Sequence, residues 1–402
     1  MNHFRFSTTP TIVSRPSALS DIASILLKLN SKRPFIITDK GIVECKLLNK
    51  LQSNLDLSAQ PAICLGQGST EEYSFEFAHF EDVLADPSDS LIKHAITCAQ
   101  NHGADAIIGF GGGSSMDTAK LVALLASKHN SQTLEEVYGV DQANGSRLPL
   151  VLIPTTAGTG SEATAVAIVT TGDTTKAGVV SDLLYPDIAI LDATLTIGLP
   201  AAVTAATGID AMVHAIEAYT SNIKKNIYSD MLCKQALVLL SSNIHRATLE
   251  PNDIEARQAM LIGACMAGQA FANAPVAAVH ALAYPLGGHF HIPHGLSNSL
   301  VLPHVMRFNA TVCFDLYSQL ADFIQLDFER STDAHQTCHN LIDALAQLAI
   351  DLNLPVRLQA LGVGRADLPM LAADAILQTR LLINNPIEVT VKDALAIYTL
   401  AF

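Results

Sequence analysis

ADAIIGFGGGSSMDTAKLVALLASKH, residues 104–129, combines three local patterns in one stretch. The apolar run over 104–110 is short and bounded by turn formers, which predicts a buried strand. The glycine cluster that follows predicts a tight turn, and the apolar spacing over 115–129 predicts a helix. A strand that turns directly into a helix is typical of a parallel sheet covered by helices.

The same unit recurs along the first half of the chain. RPFIIT (33–38) ends at Asp39, and LPLVLIP (148–154) runs into a second loop rich in glycine and threonine. Residues 89–103 again show apolar side chains at helical spacing. We therefore expect a parallel sheet with helices on both faces in this half.

The second half has a different character. After residues 185–200 strand signals nearly vanish, and long segments rich in alanine and leucine predict helices. We place the division near residue 195, with an α/β domain over 1–195 and an all-helical domain over 196–402. The absence of a linker predicts that the two domains pack around a shared cleft.

Composition narrows the classes of partner and location. The chain has 402 residues and a formal net charge of -14, so its surface would repel a phosphate backbone and no nucleic-acid partner is expected. The N-terminus lacks the apolar core of a signal peptide, and the seven cysteines are scattered without a C-x-x-C pair, which favours the cytoplasm. Residues 258–306 carry no charged side chain, but their histidines and prolines argue against a membrane span.

Two glycine-containing loops are candidate nucleotide-binding elements. In GFGGGSSMDTAK (109–120), glycines would let the backbone approach a phosphate at a helix N-terminus. The alternative is a capping box formed by Ser114 and Asp117. In PTTAGTGSE (154–162), small residues would leave room for a flat ring, although Thr159 and Glu162 also fit a capping box.

Four side chains suggest a metal site. Asp210 and His214 stand four residues apart on a predicted helix, so they share one face. His280 and His294 lie in the uncharged segment. One carboxylate and three imidazoles suit Fe²⁺ or Zn²⁺ with a position left open for substrate. Alternatively, Asp210 and His214 are polar neighbours on the surface, or a helix cap and a histidine packed in the core.

Taken together, these motifs resemble the iron-containing (group III) alcohol dehydrogenases. GGGSSMD, PTTAGTGSE, GIDAMVHAIEAY and HALAYPLGGHFHIPHGLSNSLVLPHVMRFN occur in the order of that family, and the resemblance runs from near residue 38 to near 390. It implies a dehydroquinate synthase-like fold, in which an α/β dinucleotide-binding domain precedes an all-α metal-binding domain. The metal ligands implied are Asp210, His214, His280 and His294. The cofactor-binding residues implied are Asp39, Gly111, Gly112, Gly113, Ser114, Asp117, Thr155, Thr156, Thr159 and Lys176.

Two positions refine this expectation. Asp39 closes a strand where the family places an acid facing the adenosine ribose, which favours NAD over NADP because a carboxylate repels a 2′-phosphate; a helix cap is the alternative. Tyr284 stands where many members have a histidine implicated in proton handling. That role cannot be carried over directly, so Tyr284 and His291 are the candidates for it, alongside water and the cofactor ribose.

The expected activity is reversible hydride transfer between a small primary alcohol or aldehyde and nicotinamide C4, with Fe²⁺, Zn²⁺ or another divalent ion. Maleylacetate reductase and glycerol dehydrogenase chemistry are alternatives, as are a 3-dehydroquinate synthase-like lyase and a noncatalytic metal- or nucleotide-binding protein. The resemblance further implies a homodimer with a small-molecule substrate, and no membrane partner. The identity of the alcohol and the physiological metal cannot be derived from the sequence.

Overall fold

The strands of this chain form from short apolar runs between turn formers. The computed structural model describes residues 3–56, 74–172 and 175–402. The chain divides into two units. One consists of Thr8–Thr156 and Ser161–Gly198, and the other consists of the segment up to Ser7, Ala157–Gly160 and Leu199–Phe402.

Six strands of the first unit form a sheet in which every pairing is parallel. In chain order the strands are β1 (Thr11–Ser14), β2 (Pro34–Ile37), β3 (Ala78–Phe80), β4 (Ala106–Gly111), β5 (Gly139–Val140), β6 (Leu150–Pro154), β7 (Val166–Thr171), β8 (Thr175–Val180) and β9 (Ile188–Leu191). The large sheet has the order β1-β9-β6-β4-β2-β3, and β5, β8 and β7 form a small second sheet.

Helices cover both faces of the large sheet. They are α1 (Ile22–Lys28), α2 (Lys40–Glu44), α3 (Leu47–Leu55), α4 (Asp89–His102) and α5 (Gly113–Leu125). Ile36 and Ile108 pack with residues of α1 and α3, whereas Ile37, Ile107 and Leu152 pack with residues of α4 and α5. Because side chains alternate along a strand, neighbouring residues serve opposite cores, and both faces are buried.

One glycine lets α5 approach the sheet closely. A Cβ atom on Gly109 would lie 2.5 Å from Leu152 Cδ2 and 2.8 Å from Ala119 Cβ. Because Gly109 has no side chain, α5 can pack closely against the sheet. This close packing determines where α5 begins at the end of β4.

The second unit is helical, and residues 199–402, all of which are described, contain no strand. Its helices are α6 (Ala201–Thr220), α7 (Ile227–Leu249), α8 (Ile254–Asn273), α9 (Ala278–Phe290), α10 (His294–Ala321), α11 (Ala334–Asp351), α12 (Leu368–Ile376), α13 (Thr379–Leu382) and α14 (Val391–Ala401). Buried alanines recur along α6 and α8, which lets helix backbones pack closely.

Burial explains the uncharged segment over 258–306. It runs through α8, α9 and the first turns of α10, and most of its side chains are buried. Unpaired charges at such positions would be costly, so the sequence avoids them. Within the described residues, no single helix is long and apolar enough to cross a membrane, and α8 and α9 meet that criterion only as a pair bent by 106°.

The predicted fold class, a parallel α/β first half followed by a helical second half, is confirmed. The last strand ends at Leu191 and α6 begins at Ala201, on either side of the predicted division at residue 195. The predicted helix over 115–129 begins two residues earlier, at Gly113, because the backbone turns into α5 within the glycine cluster.

Candidate functional site

Several of the predicted cofactor-binding residues lie together at the carboxyl ends of three neighbouring strands. β2, β4 and β6 lie side by side with Ile37 paired to Gly109 and Gly111 paired to Pro154. Asp39, the glycine loop and Thr155 therefore leave the sheet at one edge. This edge is where ligands bind in open parallel sheets.

Asp39 caps a helix, and it also lies at the edge of the sheet where ligands bind. Its Oδ1 atom accepts a hydrogen bond from the Ile42 amide at 3.1 Å and so caps α2. Its Oδ2 atom accepts one from Ser115 Oγ at 3.1 Å. The alternative predicted for Asp39, a helix cap, is thus confirmed, and a ribose role for Asp39 stays a prediction.

The glycine loop leads directly into α5, a helix of 13 residues. Gly111 has φ of +151°, and a Cβ atom there would lie 2.7 Å from Ser115 Oγ. Gly112 is the N-cap and makes no side-chain hydrogen bond, so the first amides of α5 have no side-chain cap. Ser114 lies inside the helix, and the capping box predicted for Ser114 and Asp117 is therefore wrong. Uncapped amides at a helix N-terminus are suited to a phosphate group.

Asp117 and a buried lysine, Lys120, both contact the loop after β6 and stabilise it. The Oδ1 atom of Asp117 accepts a hydrogen bond from Ser161 Oγ at 2.6 Å, and its Oδ2 atom accepts one from the Ile168 amide at 3.0 Å. Lys120 is fully buried and donates to Ser161 Oγ at 2.8 Å and to Thr164 Oγ1 at 3.0 Å. Burial lowers the pKa of Lys120, and the charge of Asp117 opposes that shift. Asp117 therefore anchors a loop, and its predicted cofactor contact stays untested.

The loop PTTAGTGSE is split between the two units. Thr155 donates its amide to the Gly111 carbonyl at 3.0 Å, and Thr156 lies beside Gly112 in the first unit. Thr159 belongs with the helical unit.

The two glycines that flank Thr159 are packed against helices. A Cβ atom on Gly158 would lie 2.6 Å from Thr207 Cβ, and one on Gly160 would lie 2.6 Å from Gly268 Cα. Gly158 and Gly160 therefore allow the loop to pack closely against α6 and α8, and the expectation that the loop leaves room for a flat ring stays a prediction. A 3-10 turn begins at Ser161, two residues after Thr159, and the capping box expected for Thr159 and Glu162 stays a prediction.

Lys176 lies in β8 with its side chain largely buried. Its Nζ atom is 2.6 Å from Asp86 Oδ1 and donates to Thr170 Oγ1 at 3.0 Å. The predicted contact of Lys176 with the cofactor ribose stays a prediction, and in this structure its charge is paired with Asp86.

The four predicted metal ligands come together inside the helical unit. Asp210 and His214 lie one turn apart on α6, His280 lies in the first turn of α9, and His294 is the first residue of α10. Each of the four offers one ligand atom, and these atoms lie within 4.8 Å of one another. The next residue, Gly295, lets α10 begin against α6, since a Cβ atom there would lie 2.5 Å from the Ala206 carbonyl oxygen.

Three of the four residues in the cluster are buried. His280 Nε2 and His294 Nε2 lie 3.9 and 3.7 Å from Asp210 Oδ1, and the rings of His214 and His280 stack with centroids 4.7 Å apart. The side chain of His294 is 41% exposed, whereas those of Asp210 and His280 are buried, so the cluster is accessible from the His294 side.

The electrostatics of the cluster favour a neutral His214 and an ionised Asp210. Burial lowers the pKa of His214 to about 3, and His280 and His294 add to the effect while Asp210 opposes it. Burial raises the pKa of Asp210, but its interactions with the three imidazoles outweigh that effect, so this pKa lies below its ordinary value. Neutral imidazole and ionised carboxylate are the ligand forms that bind a cation.

This donor set fits a divalent ion. Three nitrogen atoms and a carboxylate oxygen, grouped around one point and open on one side, match the ligand types of catalytic Fe²⁺ and Zn²⁺ sites. The buried carboxylate of Asp210 also carries a negative charge that a cation would balance.

The other histidines of the uncharged segment lie outside this cluster. His289 Nε2 forms a short contact with Asp374 Oδ2. His291 is the exposed C-cap of α9 and has φ of +54°. The Tyr284 ring centroid lies 6.0 Å from that of His294, so Tyr284 is a candidate for proton handling whose ring lies beside that of a predicted ligand.

Sequence analysis missed two residues that contact the cluster. Glu217 Oε2 accepts a hydrogen bond from His280 Nδ1 at 2.6 Å, and Asn298 Nδ2 donates to Asp210 Oδ1 at 2.5 Å. The helical spacing of the sequence could have identified both residues. Glu217 is three residues beyond His214 and Asn298 is four beyond His294, so each shares a helix face with a predicted ligand.

Comparisons with known proteins agree with this arrangement. Residues 9–193 match the family model described as iron-containing alcohol dehydrogenase, and residues 204–402 match the model of the C-terminal part of the Fe-containing alcohol dehydrogenase family. Long-chain-alcohol dehydrogenase 1 of Geobacillus thermodenitrificans is 37% identical over 96% of this chain and 93% of its own length. Sulfoacetaldehyde reductase of Bilophila wadsworthia is 35% identical over 94% of both chains.

A solved structure shows the same fold over the full length. Alcohol dehydrogenase from Oenococcus oeni superposes with a TM-score of 0.91 at 29% identity, and the match covers 100% of both chains. Both family models match the chain on either side of residue 195, and together they leave only short segments uncovered. The chain belongs to the iron-containing alcohol dehydrogenase family, whose members are oxidoreductases that act on alcohols and aldehydes.

Proposed function

We propose that this protein catalyses reversible hydride transfer between a small primary alcohol or its aldehyde and NAD, with a divalent ion held by Asp210, His214, His280 and His294. The observation that carries the proposal is the convergence of four ligand atoms within 4.8 Å of one another. Iron is the expected ion by family, and Zn²⁺ has the same ligand preferences.

The first unit would bind the coenzyme at the carboxyl edge of its sheet. Uncapped amides of α5, next to Gly111, Gly112 and Gly113, would hold the pyrophosphate, because the N-terminal end of a helix carries partial positive charge. Asp39 lies beside this loop and would accept hydrogen bonds from the adenosine ribose. Its charge would also disfavour the 2′-phosphate of NADP.

The second unit would bind the reacting oxygen of the substrate. An ion held by the four ligands would lower the pKa of an alcohol and polarise a carbonyl group, while the nicotinamide would accept or donate the hydride. Asp210 would supply the one negative charge among the ligands, which leaves the occupied site with net positive charge. The exposed side at His294 would let substrate enter.

Proton transfer would run through Tyr284, His291 or water. Tyr284 is supported by its distance of 6.0 Å from the His294 ring. His291 is supported by its exposure at the end of α9, where it can exchange protons with solvent.

His280→Ala tests the proposed function directly. We expect loss of bound metal and of NADH formation from a panel of small alcohols, with NAD binding retained, because His280 lies in the helical unit and not at the nucleotide edge. His289→Ala is the matched control, since His289 lies on the same helix but pairs with Asp374 outside the cluster. Full turnover in the His280 variant would refute the ligand assignment.

We also propose a cytoplasmic homodimer. An apolar surface supports an interface between copies. Ile227, Tyr228 and Met231 at the start of α7 are 72%, 53% and 57% exposed, and the ring of Phe4 contacts Tyr228. Sedimentation velocity would test the assembly, and a monomer at micromolar concentration would contradict it.

A further inference from the structure

Glu217 is a buried carboxylate next to the predicted metal cluster. It lies on α6, seven residues after Asp210 and three after His214, and therefore on the face of the helix that carries both ligands. Its residue exposure is 4%. An ionisable group this deeply buried needs specific partners.

Three N–H groups surround this carboxylate. Oε1 accepts a hydrogen bond from the Val279 amide at 2.6 Å, and Oε2 accepts one from the Ala277 amide at 3.0 Å and one from His280 Nδ1 at 2.6 Å. Ala277 is the N-cap of α9 and has no side-chain cap of its own. Glu217 therefore accepts hydrogen bonds at the positive end of α9, the helix that carries His280 in its first turn.

The contact determines which nitrogen of His280 is protonated. A carboxylate only accepts hydrogen bonds, so Nδ1 of His280 must carry the proton. In a neutral ring the other nitrogen, Nε2, then carries the free lone pair. Nε2 is the atom that lies 3.9 Å from Asp210 Oδ1 in the cluster.

We propose that Glu217 is the positioning residue of His280, which it holds in the Nδ1–H form so that Nε2 would be free to bind the divalent ion. This inference rests on the proposed metal-binding function. Such a carboxylate also strengthens an imidazole ligand by polarising its ring.

A simple helix-capping role would give a different result on mutation. If Glu217 only capped α9, its replacement would lower thermal stability and leave the affinity of the folded protein for metal unchanged. Asp253 offers a matched control. It is a carboxylate of the same unit that caps α8 through the Ala256 amide at 2.9 Å, and it directly precedes that helix outside the cluster.

The test compares Glu217→Gln, Glu217→Ala and Asp253→Ala with the wild-type protein, using Co²⁺ as the probe. The dissociation constant is measured by chelator competition and visible absorption, and the melting temperature of the metal-free protein is measured in parallel. We expect the dissociation constant to rise about tenfold for Glu217→Gln and about 100-fold for Glu217→Ala. The control should melt at a lower temperature with an unchanged dissociation constant.

Glu217→Gln keeps the size of the side chain but has a single acceptor oxygen. That oxygen can serve either Val279 or the pair of Ala277 and His280, so the ring loses part of its support. A second readout is ¹⁵N NMR of the histidine rings in the metal-free protein. The Nδ1–H form of His280 should dominate in the wild-type protein and give way to a mixture in the Glu217→Ala variant.

The outcomes separate the two hypotheses. If the wild-type protein binds Co²⁺ and the Glu217→Gln variant binds it equally well, the positioning role is refuted and the proposed function stands. If the wild-type protein does not bind Co²⁺, the proposed metal site fails and the role of Glu217 toward it fails with it. The Gln variant keeps the test decisive even where the Ala variant does not fold.

Discussion

The Gly295→Ala substitution would add one methyl group at the point where α10 begins against α6. The new Cβ atom would lie 2.5 Å from the carbonyl oxygen of Ala206, 2.9 Å from its carbonyl carbon and 3.3 Å from Asp210 Cβ. Two of these neighbours are backbone atoms and cannot rotate away. The start of α10 must therefore move by roughly 1 Å to restore ordinary contact distances.

The cost follows from that clash. Overpacking of this kind costs about 1–3 kcal/mol, and the better helix propensity of alanine returns about 1 kcal/mol. Each kcal/mol lost corresponds to a melting temperature lower by roughly 2–4 °C for a unit of this size. The larger effect is on the site, because His294 directly precedes Gly295 and would move away from Asp210. We expect metal affinity to fall at least about tenfold.

The assay is metal affinity and turnover at saturating NAD, with Gly287→Ala as the control. A Cβ atom on Gly287 would lie 3.6 Å from the Ile292 carbonyl oxygen, which is an ordinary contact, and Gly287 lies within α9. The control should keep wild-type affinity and stability or gain slightly. Wild-type metal affinity in the Gly295→Ala variant would refute the inference that backbone contact between α6 and α10 positions His294.

Two further predictions concern coenzyme choice and acid stability. Asp39→Asn removes the charge but keeps an acceptor for the Ile42 amide, so the ratio of kcat/KM for NADP over NAD should rise about tenfold or more, and an unchanged ratio would contradict the ribose assignment. Burial, together with Arg307 and Arg357, lowers the pKa of His304 to about 4. Because this folded-state pKa lies below the unfolded value of about 6.5, its contribution to stability is complete above pH 6.5 and lost as the pH falls toward 4. Between pH 7.5 and 5 the metal-free wild type should lose about 1–2 kcal/mol more in urea unfolding than His304→Gln, and parallel losses would contradict this assignment.

Local sequence patterns were sufficient to predict the strand, turn and helix of residues 104–129 and the types of residue that form the cluster. The strand, glycine turn and helix of residues 104–129 depend on interactions between residues close in sequence, and the structure has them as β4 and α5. Asp210 and His214 share a face because four residues complete about one helical turn. The choice of residue types in the cluster was also visible, since carboxylate and imidazole are the groups that bind divalent ions.

Local patterns did not reveal the contacts that residues make with distant parts of the chain. Gly158 and Gly160 sit in a loop after β6, but they contact α6 and α8, whose sequences lie far along the chain. Asp117 has the spacing of a cap residue, yet its carboxylate is bonded to Ser161 and Ile168, about 50 positions away. No local pattern encodes such contacts.

The sequence by itself determined the change from alternating strands and helices to helices alone, the uncharged character of the buried segment, and the four residues that can bind a cation. Only the tertiary structure decided that Glu217 meets His280 across 63 positions and that Gly295 brings α10 against α6. The physical reason is the distance along the chain over which each kind of interaction acts. Helix periodicity and turn chemistry act over a few residues, whereas hydrogen bonds between helices depend on how the packed backbones approach one another.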